Sequence, residues 1–200
     1  MPAVWIALAY LLGSLPVGLL LSRLKGQDPR KVGSGNIGAT NVMRASGKAL
    51  GILTLVGDIL KGLLPTWLAA RAGLAGPLVA AVAFAAFVGH LFPIYLRFRG
   101  GKGVATALGI FIALSPFAVF IDIAVFAAVL YAWRYVSLGS LVAAALMPVL
   151  LLVLRFPSPY VVLCLAMAIL IFVKHAKNIG RLCAGTENRM GGGRTAVGGG

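Results

Sequence analysis

Seven apolar runs, all but one pair of them separated by cationic or glycine-rich connectors, leave this chain few ways to fold in water. They lie at about Ala3–Leu21, Leu50–Ala70, Ala75–Leu96, Val104–Leu114, Phe117–Trp133, Leu138–Leu154 and Tyr160–Val173. A run of roughly 20 apolar residues crosses the hydrocarbon of a bilayer as a helix. Backbone N–H and C=O groups find no water there, and a helix pairs all of them within its own segment. Composition agrees: 60% of the 200 residues are hydrophobic and only 11% are charged, against roughly 25% charged in an ordinary globular chain. The expected fold is an all-α polytopic membrane protein. Met1–Leu21 lacks a basic leader and a small-x-small cleavage site, so it reads as a retained first span rather than a signal peptide.

The fourth run is short, and Ser115-Pro116 after it is either a turn or a kink, giving seven spans or six. Charge separates the two. With seven spans and an external N-terminus, 15 of the 18 Lys and Arg residues fall on the inner side. Only Arg71 and Arg155 fall outside, and Lys61 lies within a span. Six spans give 10 against 7. Cytoplasmic loops carry the excess of Lys and Arg, so seven spans are expected, with the N-terminus outside and the C-terminus cytoplasmic. Residues 1–190 read as a single transmembrane domain with no linker, and the glycine-rich tail 191–200 as disordered.

The formal net charge is +14, from 18 basic and 4 acidic residues. These cations sit between apolar runs and form no surface stripe, so nucleic acid is not an expected partner. Anionic lipid headgroups and phosphorylated substrates are. Cys164 and Cys183 show neither C-x-x-C nor zinc spacing and read as unpaired thiols.

Three inner segments break the membrane pattern. They are KVGSGNIGATNVMR at 31–44, FRGGKGVAT at 98–106 and KHAKNIGR at 174–181. Glycine lets backbone N–H groups converge on an anion, a helix N-terminus adds donors, and Lys and Arg neutralise the charge. Two such loops on one face suit two phosphates, or one phosphate held from two sides. Single glycines have a plainer use in helix packing. The interleaving of Ser34, Asn36, Thr40 and Asn41 with cations favours binding. Gly33 to Gly38 matches G-x-G-x-x-G, but a membrane span precedes it, not the strand of a dinucleotide fold. Gly101-Lys102 resembles the end of a P-loop, but Gly103 stands where Ser or Thr would hold magnesium.

Charges within spans are costly and often functional. Asp58 and Lys61, three apart on one helix, share a face and can neutralise one another, so an orienting role for the loops is expected. Asp122 stands alone and is expected to be protonated or internally bonded. His90, in GHLFP at 89–93, braces the following loop or takes part in function. His175, with Asn178 three residues on and cations on both sides, places a titratable donor and acceptor beside the expected phosphate site. No acidic cluster able to hold magnesium is present, no Ser-His-acid or Cys-His set is recognisable, and neither histidine begins an H-x-x-x-x-D signature.

Val32 to Asn41, Asp58-x-x-Lys-Gly62, Gly89-His-x-Phe-Pro93 and Gly100 to Thr106 occur in that order. With them the chain resembles the bacterial acyl-phosphate:glycerol-3-phosphate acyltransferases. The likeness runs from the first span to about Arg189, through Tyr135 to Leu138 and Gly185-Thr-Glu187. It implies seven transmembrane helices in the bacterial cytoplasmic membrane, with the active site toward the cytoplasm. It implies transfer of a fatty acyl group from acyl phosphate to the 1-hydroxyl of glycerol 3-phosphate, giving lysophosphatidic acid and phosphate, with no cofactor or metal.

Carried over residue by residue, Ser34, Arg44 and Lys102 hold the phosphate of glycerol 3-phosphate. His175 and Asn178 orient its hydroxyl, and Lys102 shares the catalytic role with them. The loop of Gly35, Asn36, Thr40 and Asn41, with Ser137 or Ser140, faces the acyl phosphate, and Gly101 and Gly103 shape the second loop. Asp58, Lys61, His90 and Glu187 are orienting residues. The proton acceptor is His175 or a substrate phosphate oxygen. Membrane lipids are expected partners, together with a contact to the enzyme that makes the acyl phosphate. The alternative reading is a membrane carrier for a phosphorylated solute, against which stand the absence of an inverted repeat and the one-sided cations.

Overall fold

The computed structural model describes residues 1–191, and in that range every regular element is helical. Most of the tail expected to be disordered, 192–200, lies outside the described residues. In chain order the helices are α1 (Pro2–Gly13), α2 (Val17–Arg23), α3 (Ala39–Ser46), α4 (Lys48–Arg71) and α5 (Gly76–Leu91). They are followed by α6 (Val104–Leu114), α7 (Pro116–Trp133), α8 (Val136–Val153), α9 (Ser158–Lys174) and α10 (Ala176–Cys183). Short 3-10 turns at Pro29–Lys31 and Ile94–Leu96 complete the set.

Five stretches are long and apolar enough to cross a bilayer: Pro2–Arg23, Lys48–Arg71, Gly76–Leu96, Pro116–Trp133 and Val136–Val153. Ser158–Lys174 with Ala176–Cys183 makes a sixth, bent by 59°. The remaining expected span, Val104–Leu114, forms a helix at the expected boundaries but has 11 residues. That is about 16 Å of rise against a hydrocarbon core of about 30 Å.

The sequence explains the interruptions. Pro16 has no N–H to continue α1 into α2, so the first stretch breaks at Ser14-Leu15-Pro16. The Leu15 carbonyl accepts from the Val17 N–H at 3.0 Å and also from Lys61 Nζ of α4 at 3.0 Å, which ties the break to α4. Ser115 ends α6 and caps α7, where Pro116 occupies the first helical position. The segment expected as one long loop, 31–44, instead contains the two-turn helix α3, which begins at Ala39.

Helices α4 and α6 approach more closely than side chains permit: a Cβ on Gly62 would strike the Thr106 carbonyl oxygen, and one on Gly109 the Ile59 carbonyl oxygen. Small residues at helix contacts are the usual packing device in membranes, where lipid removes the hydrophobic drive between helices. One apolar core joins α5, α6, α7, α8 and α9 around Phe87, Leu91, Ile110, Leu151 and Met167. A smaller one joins α1, α4 and α5 around Ala9, Val79 and Val82. Large apolar side chains such as Leu8, Leu53, Phe120, Leu152 and Ile169 face outward, as lipid-facing surfaces require.

Candidate active site

The three polar segments meet at one end of the bundle. The first is a preformed loop. Gly33 and Gly35 take left-handed φ of +60° and +70°. Asn41, on the first turn of α3, reaches back into the curl. Its Oδ1 accepts from the Ser34 N–H at 3.0 Å, and its Nδ2 donates to the carbonyls of Pro29 (2.7 Å), Val32 (3.0 Å) and Asn36 (2.8 Å). Asn36 Oδ1 accepts from Gly38 N–H at 2.8 Å. Asn41 and Asn36, expected to face substrate, thus spend these amide groups on the loop itself, while Ser34, Gly35, Thr40 and Arg44 remain exposed.

The second loop is fastened to the end of α5. Gly100 N–H donates to Leu91 O at 3.2 Å and Gly101 N–H to His90 O at 3.1 Å. Gly101 lies so close to the His90 ring that a Cβ there would collide with Nε2. Gly103, at φ +87°, similarly leaves no room for a side chain beside Phe87. These contacts aim Lys102 across to the third segment, where its Nζ donates to Asn178 Oδ1 at 2.6 Å. Beneath the loop, Asp58 pairs with Lys61 at 2.9 Å and lies 3.6 Å from His90 Nδ1. Asp58, Lys61 and His90 are therefore brought together, buried among the helices.

The third segment surrounds one carboxylate. Glu187 Oε1 accepts from Asn178 Nδ2 at 2.7 Å and from Ser137 Oγ at 3.0 Å, and Oε2 accepts from Arg181 Nε at 2.6 Å. Burial alone would raise this carboxyl, but the hydrogen bonds from Arg181, Asn178 and Ser137 outweigh it and hold Glu187 below the usual carboxylate range. The chain after α10 is strapped over the α7–α8 connection: Met190 N–H donates to Arg134 O at 2.7 Å and Arg189 Nε to Tyr135 Oη at 3.1 Å. Ser140, expected as the alternative to Ser137, bonds its own helix at Val136 O, 2.8 Å away.

His175 stands at the α9–α10 bend, buried, with Nδ1 2.9 Å from Ile171 O. A carbonyl only accepts, so Nδ1 carries the hydrogen and Nε2 of the neutral ring is left as an acceptor. Lys102 is lowered to about 8, first by burial; Glu187 opposes the shift, and Arg181 and Arg44 add to it. One carboxylate against Lys102, Arg44 and Arg181 leaves excess positive charge in a part-buried site, which an anion would neutralise.

A cleft of about 480 Å³ lies between the first two loops, lined among others by Arg30, Gly35, Arg99, Gly100 and Lys174. Arg30 is already paired with Asp28 at 2.6 Å, and Lys174 Nζ donates to Leu91 O at 3.0 Å. Sequence reasoning assigned no role to Arg181, Lys174 or Arg99. Arg181 was within reach of it, because position 181 is one turn beyond Asn178 on the same helix face. Asp122 Oδ1 is buried without a hydrogen-bond partner. Cys164 and Cys183 are both free thiols. Among the described residues no three His, Cys, Asp or Glu side chains cluster.

Comparisons with known proteins give the family. A family model described as glycerol-3-phosphate acyltransferase matches residues 3–185. A glycerol-3-phosphate acyltransferase of Trichlorobacter lovleyi is 55% identical over 187 residues, covering 93% of this chain and 96% of its own. That of Geobacter sulfurreducens is 52% identical over 184 residues, covering 92% and 95%. In structure the chain is similar to PlsY (YgiH), an integral membrane glycerol 3-phosphate acyltransferase, in its glycerol 3-phosphate form. The TM-score is 0.92 at 39% identity, covering 95% of this chain and 96% of that one. The lysophosphatidic acid form of the same enzyme gives 0.90 at 38% identity, covering 95% of each chain. With helices, loops and sequence matched over nearly its whole length, the chain belongs to the glycerol-3-phosphate acyltransferase family of integral membrane enzymes.

Proposed function

We propose that this protein transfers a fatty acyl group from acyl phosphate to the 1-hydroxyl of glycerol 3-phosphate, releasing lysophosphatidic acid and inorganic phosphate. The observation that carries the reading is the hydrogen-bonded chain in which Lys102 Nζ donates to Asn178, and Asn178 and Arg181 donate to Glu187, so that two cations share one carboxylate. Both substrates carry a phosphate, and the family supplies the acceptor.

In this reading Ser34, Arg44 and Lys102 hold the phosphate of glycerol 3-phosphate. The exposed rim of the glycine loop at Gly35 and Thr40, with Ser137, faces the acyl phosphate. The acceptor oxygen attacks the carbonyl carbon, the new ester C–O bond forms, and the C–O bond to phosphate breaks with its electron pair leaving on phosphate. His175 Nε2 is proposed to accept the hydrogen bond of the attacking hydroxyl and its proton; a substrate phosphate oxygen is the other acceptor. A mixed anhydride has a good leaving group, so no covalent enzyme intermediate is required. Holding the two substrates in attack geometry supplies up to about 7–11 kcal/mol of the barrier. Cationic donors at the leaving phosphate add electrostatic stabilisation.

Seven crossings, with the N-terminus outside and the site toward the cytoplasm of a bacterium, go with this reading. The charge bias of 15 against 2 supports them. So does parity: Lys102 and Asn178 are hydrogen-bonded, which needs an even number of crossings between them, and α6 to α9 provide four. A six-span chain with α6 and α7 fused would separate the two residues across the bilayer. The enzyme that makes the acyl phosphate would dock on the same face.

The test is the purified protein in bilayers, given palmitoyl phosphate and glycerol 3-phosphate. Phosphate and lysophosphatidic acid should appear in equal amounts, with or without EDTA. Transfer from an acyl thioester but not from acyl phosphate would overturn the donor assignment. A His175→Ala variant with near-normal turnover would exclude the histidine as proton acceptor.

A further inference from the structure

The chain beyond α10 follows the α7–α8 connection residue for residue. Gly185, at φ +69°, turns it out of α10, and Thr186 N–H donates back to Arg181 O at 2.8 Å. From there the partners run in reverse order. Ser137 Oγ donates to Glu187 Oε1 at 3.0 Å, Arg189 Nε to Tyr135 Oη at 3.1 Å, and Met190 N–H to Arg134 O at 2.7 Å. Each step forward along the tail is one step back along the connection, the register of an antiparallel pair. Arg134 Nε closes the end by donating to Met190 O at 3.1 Å. The Arg189 guanidinium lies 5.4 Å from the centre of the Tyr135 ring.

Local backbone preference would not choose an arginine at position 134. It ends α7 at φ +62°, a conformation glycine takes freely and other residues seldom adopt. A glycine there would lack the guanidinium that meets the Met190 carbonyl. At the other end of the strap, Glu187 accepts from Asn178 and Arg181, and Asn178 in turn accepts from Lys102. Residues 186–189 belong to no helix, so their partners alone fix where this carboxylate lies. One residue of slip moves an extended chain by about 3.3 Å and turns its side chains over.

We propose that Arg134 and Tyr135 are positioning residues: by holding residues 189 and 190 in register, they set Glu187 against Asn178 and so fix the amide that carries Lys102. They act through Glu187, not on substrate. This deepens the acyl-transfer reading above and rests on it.

Register is the quantity to change. Asn188 is exposed between Glu187 and Arg189, and deleting it removes no charge but lets only one end of the strap seat. kcat/KM should fall about tenfold to 10²-fold, because a misplacement of about 1 Å at a site can cost 10²-fold. Asn188→Ala keeps the register and should stay within about twofold. The pH profile separates positioning from general loosening. Lys102 faces Glu187, Arg181 of α10, Arg44 of α3 and His175 at the α9–α10 bend, and among these Glu187 alone raises it. With Glu187 displaced by the deletion, the alkaline limb of kcat/KM should move below about 8. An unchanged kcat/KM, an unmoved limb, or an equal loss in Asn188→Ala would overturn the proposal.

Two substitutions repeat the test at constant chain length. Tyr135→Phe and Arg189→Ala break the same hydrogen bond, and each should lower kcat/KM by about two- to fivefold. The double variant should fall no further than Arg189→Ala alone, since residues acting through one contact do not add. Losses that multiply would overturn the coupling. If the wild-type protein transfers nothing from acyl phosphate, the donor assignment fails instead, and the strap is read from affinity for glycerol 3-phosphate. Deleting Asn188 should still weaken that affinity, and an unchanged affinity would overturn the proposal.

Discussion

Two buried or part-buried ionic clusters among the described residues are built from similar side chains, and they differ in whether their charges close. Asp58, Lys61 and His90 are about 3–4% exposed. Lys61 donates to both Asp58 and the Leu15 carbonyl, so one cation meets one anion and a broken helix end is mended. Glu187 is instead outnumbered by Lys102, Arg44 and Arg181, and its neighbours stand on three separate segments. A balanced buried cluster has nothing left to offer a ligand and serves as a brace. An unbalanced, part-open one is completed by an anion.

The largest expected effect tests the brace. Removing one partner of a buried ion pair costs about 3–5 kcal/mol, whereas replacing both by apolar groups is often neutral. Asp58→Leu should therefore lower the unfolding midpoint in detergent sharply, and Asp58→Leu with Lys61→Met should recover most of it. If Asp58→Leu abolishes acyl transfer with its midpoint unchanged, the brace is chemistry and the comparison breaks. At the other cluster, Lys102→Met should lower kcat/KM by about 10²–10³, the size of loss seen when one charge-stabilising donor is removed, with little change in unfolding.

These two outcomes follow features with different visibility in the sequence. The helices were legible because hydrocarbon forbids unpaired backbone, so apolar length alone marks them. The break at Ser14 to Pro16 was not read, since its repair comes from Lys61, 46 residues away. Asn41 looked like a ligand because amides near glycines suit anions; only folding shows that Pro29, Val32 and Ser34 claim it first. Glu187 entered with the resemblance alone, because nothing in its local spacing announces that Ser137, 50 residues earlier, will bond it. Neutrality of a cluster is a sum over distant residues, which local pattern does not carry.

pH should separate the clusters next. Lys102 loses its proton at about 8 in the free protein, well below its ordinary 10.5. Its charge, and with it phosphate capture, is present below that pH and lost above it. kcat/KM should therefore fall about tenfold per unit above pH 8. A bound phosphate favours the charged amine, so kcat at saturation should hold to higher pH. A flat kcat/KM profile to pH 10 would show that Lys102 does not meet substrate as a cation.

The smallest effect concerns the two serines of α8. Ser137 Oγ donates to Glu187, whereas Ser140 Oγ donates to Val136 O within its own helix. Removing a hydrogen bond to a charged acceptor costs about 1.5–3 kcal/mol, but Glu187 keeps Asn178 and Arg181, so the loss should sit at the low end, about tenfold in kcat/KM. Ser140→Ala deletes both the hydroxyl and its local bond, and the carbonyl it served retains its helical partner, so the change should stay within about twofold. Ser140→Ala falling further than Ser137→Ala would place substrate against Ser140, and would move the acyl phosphate one turn deeper along α8 than the Glu187 cluster.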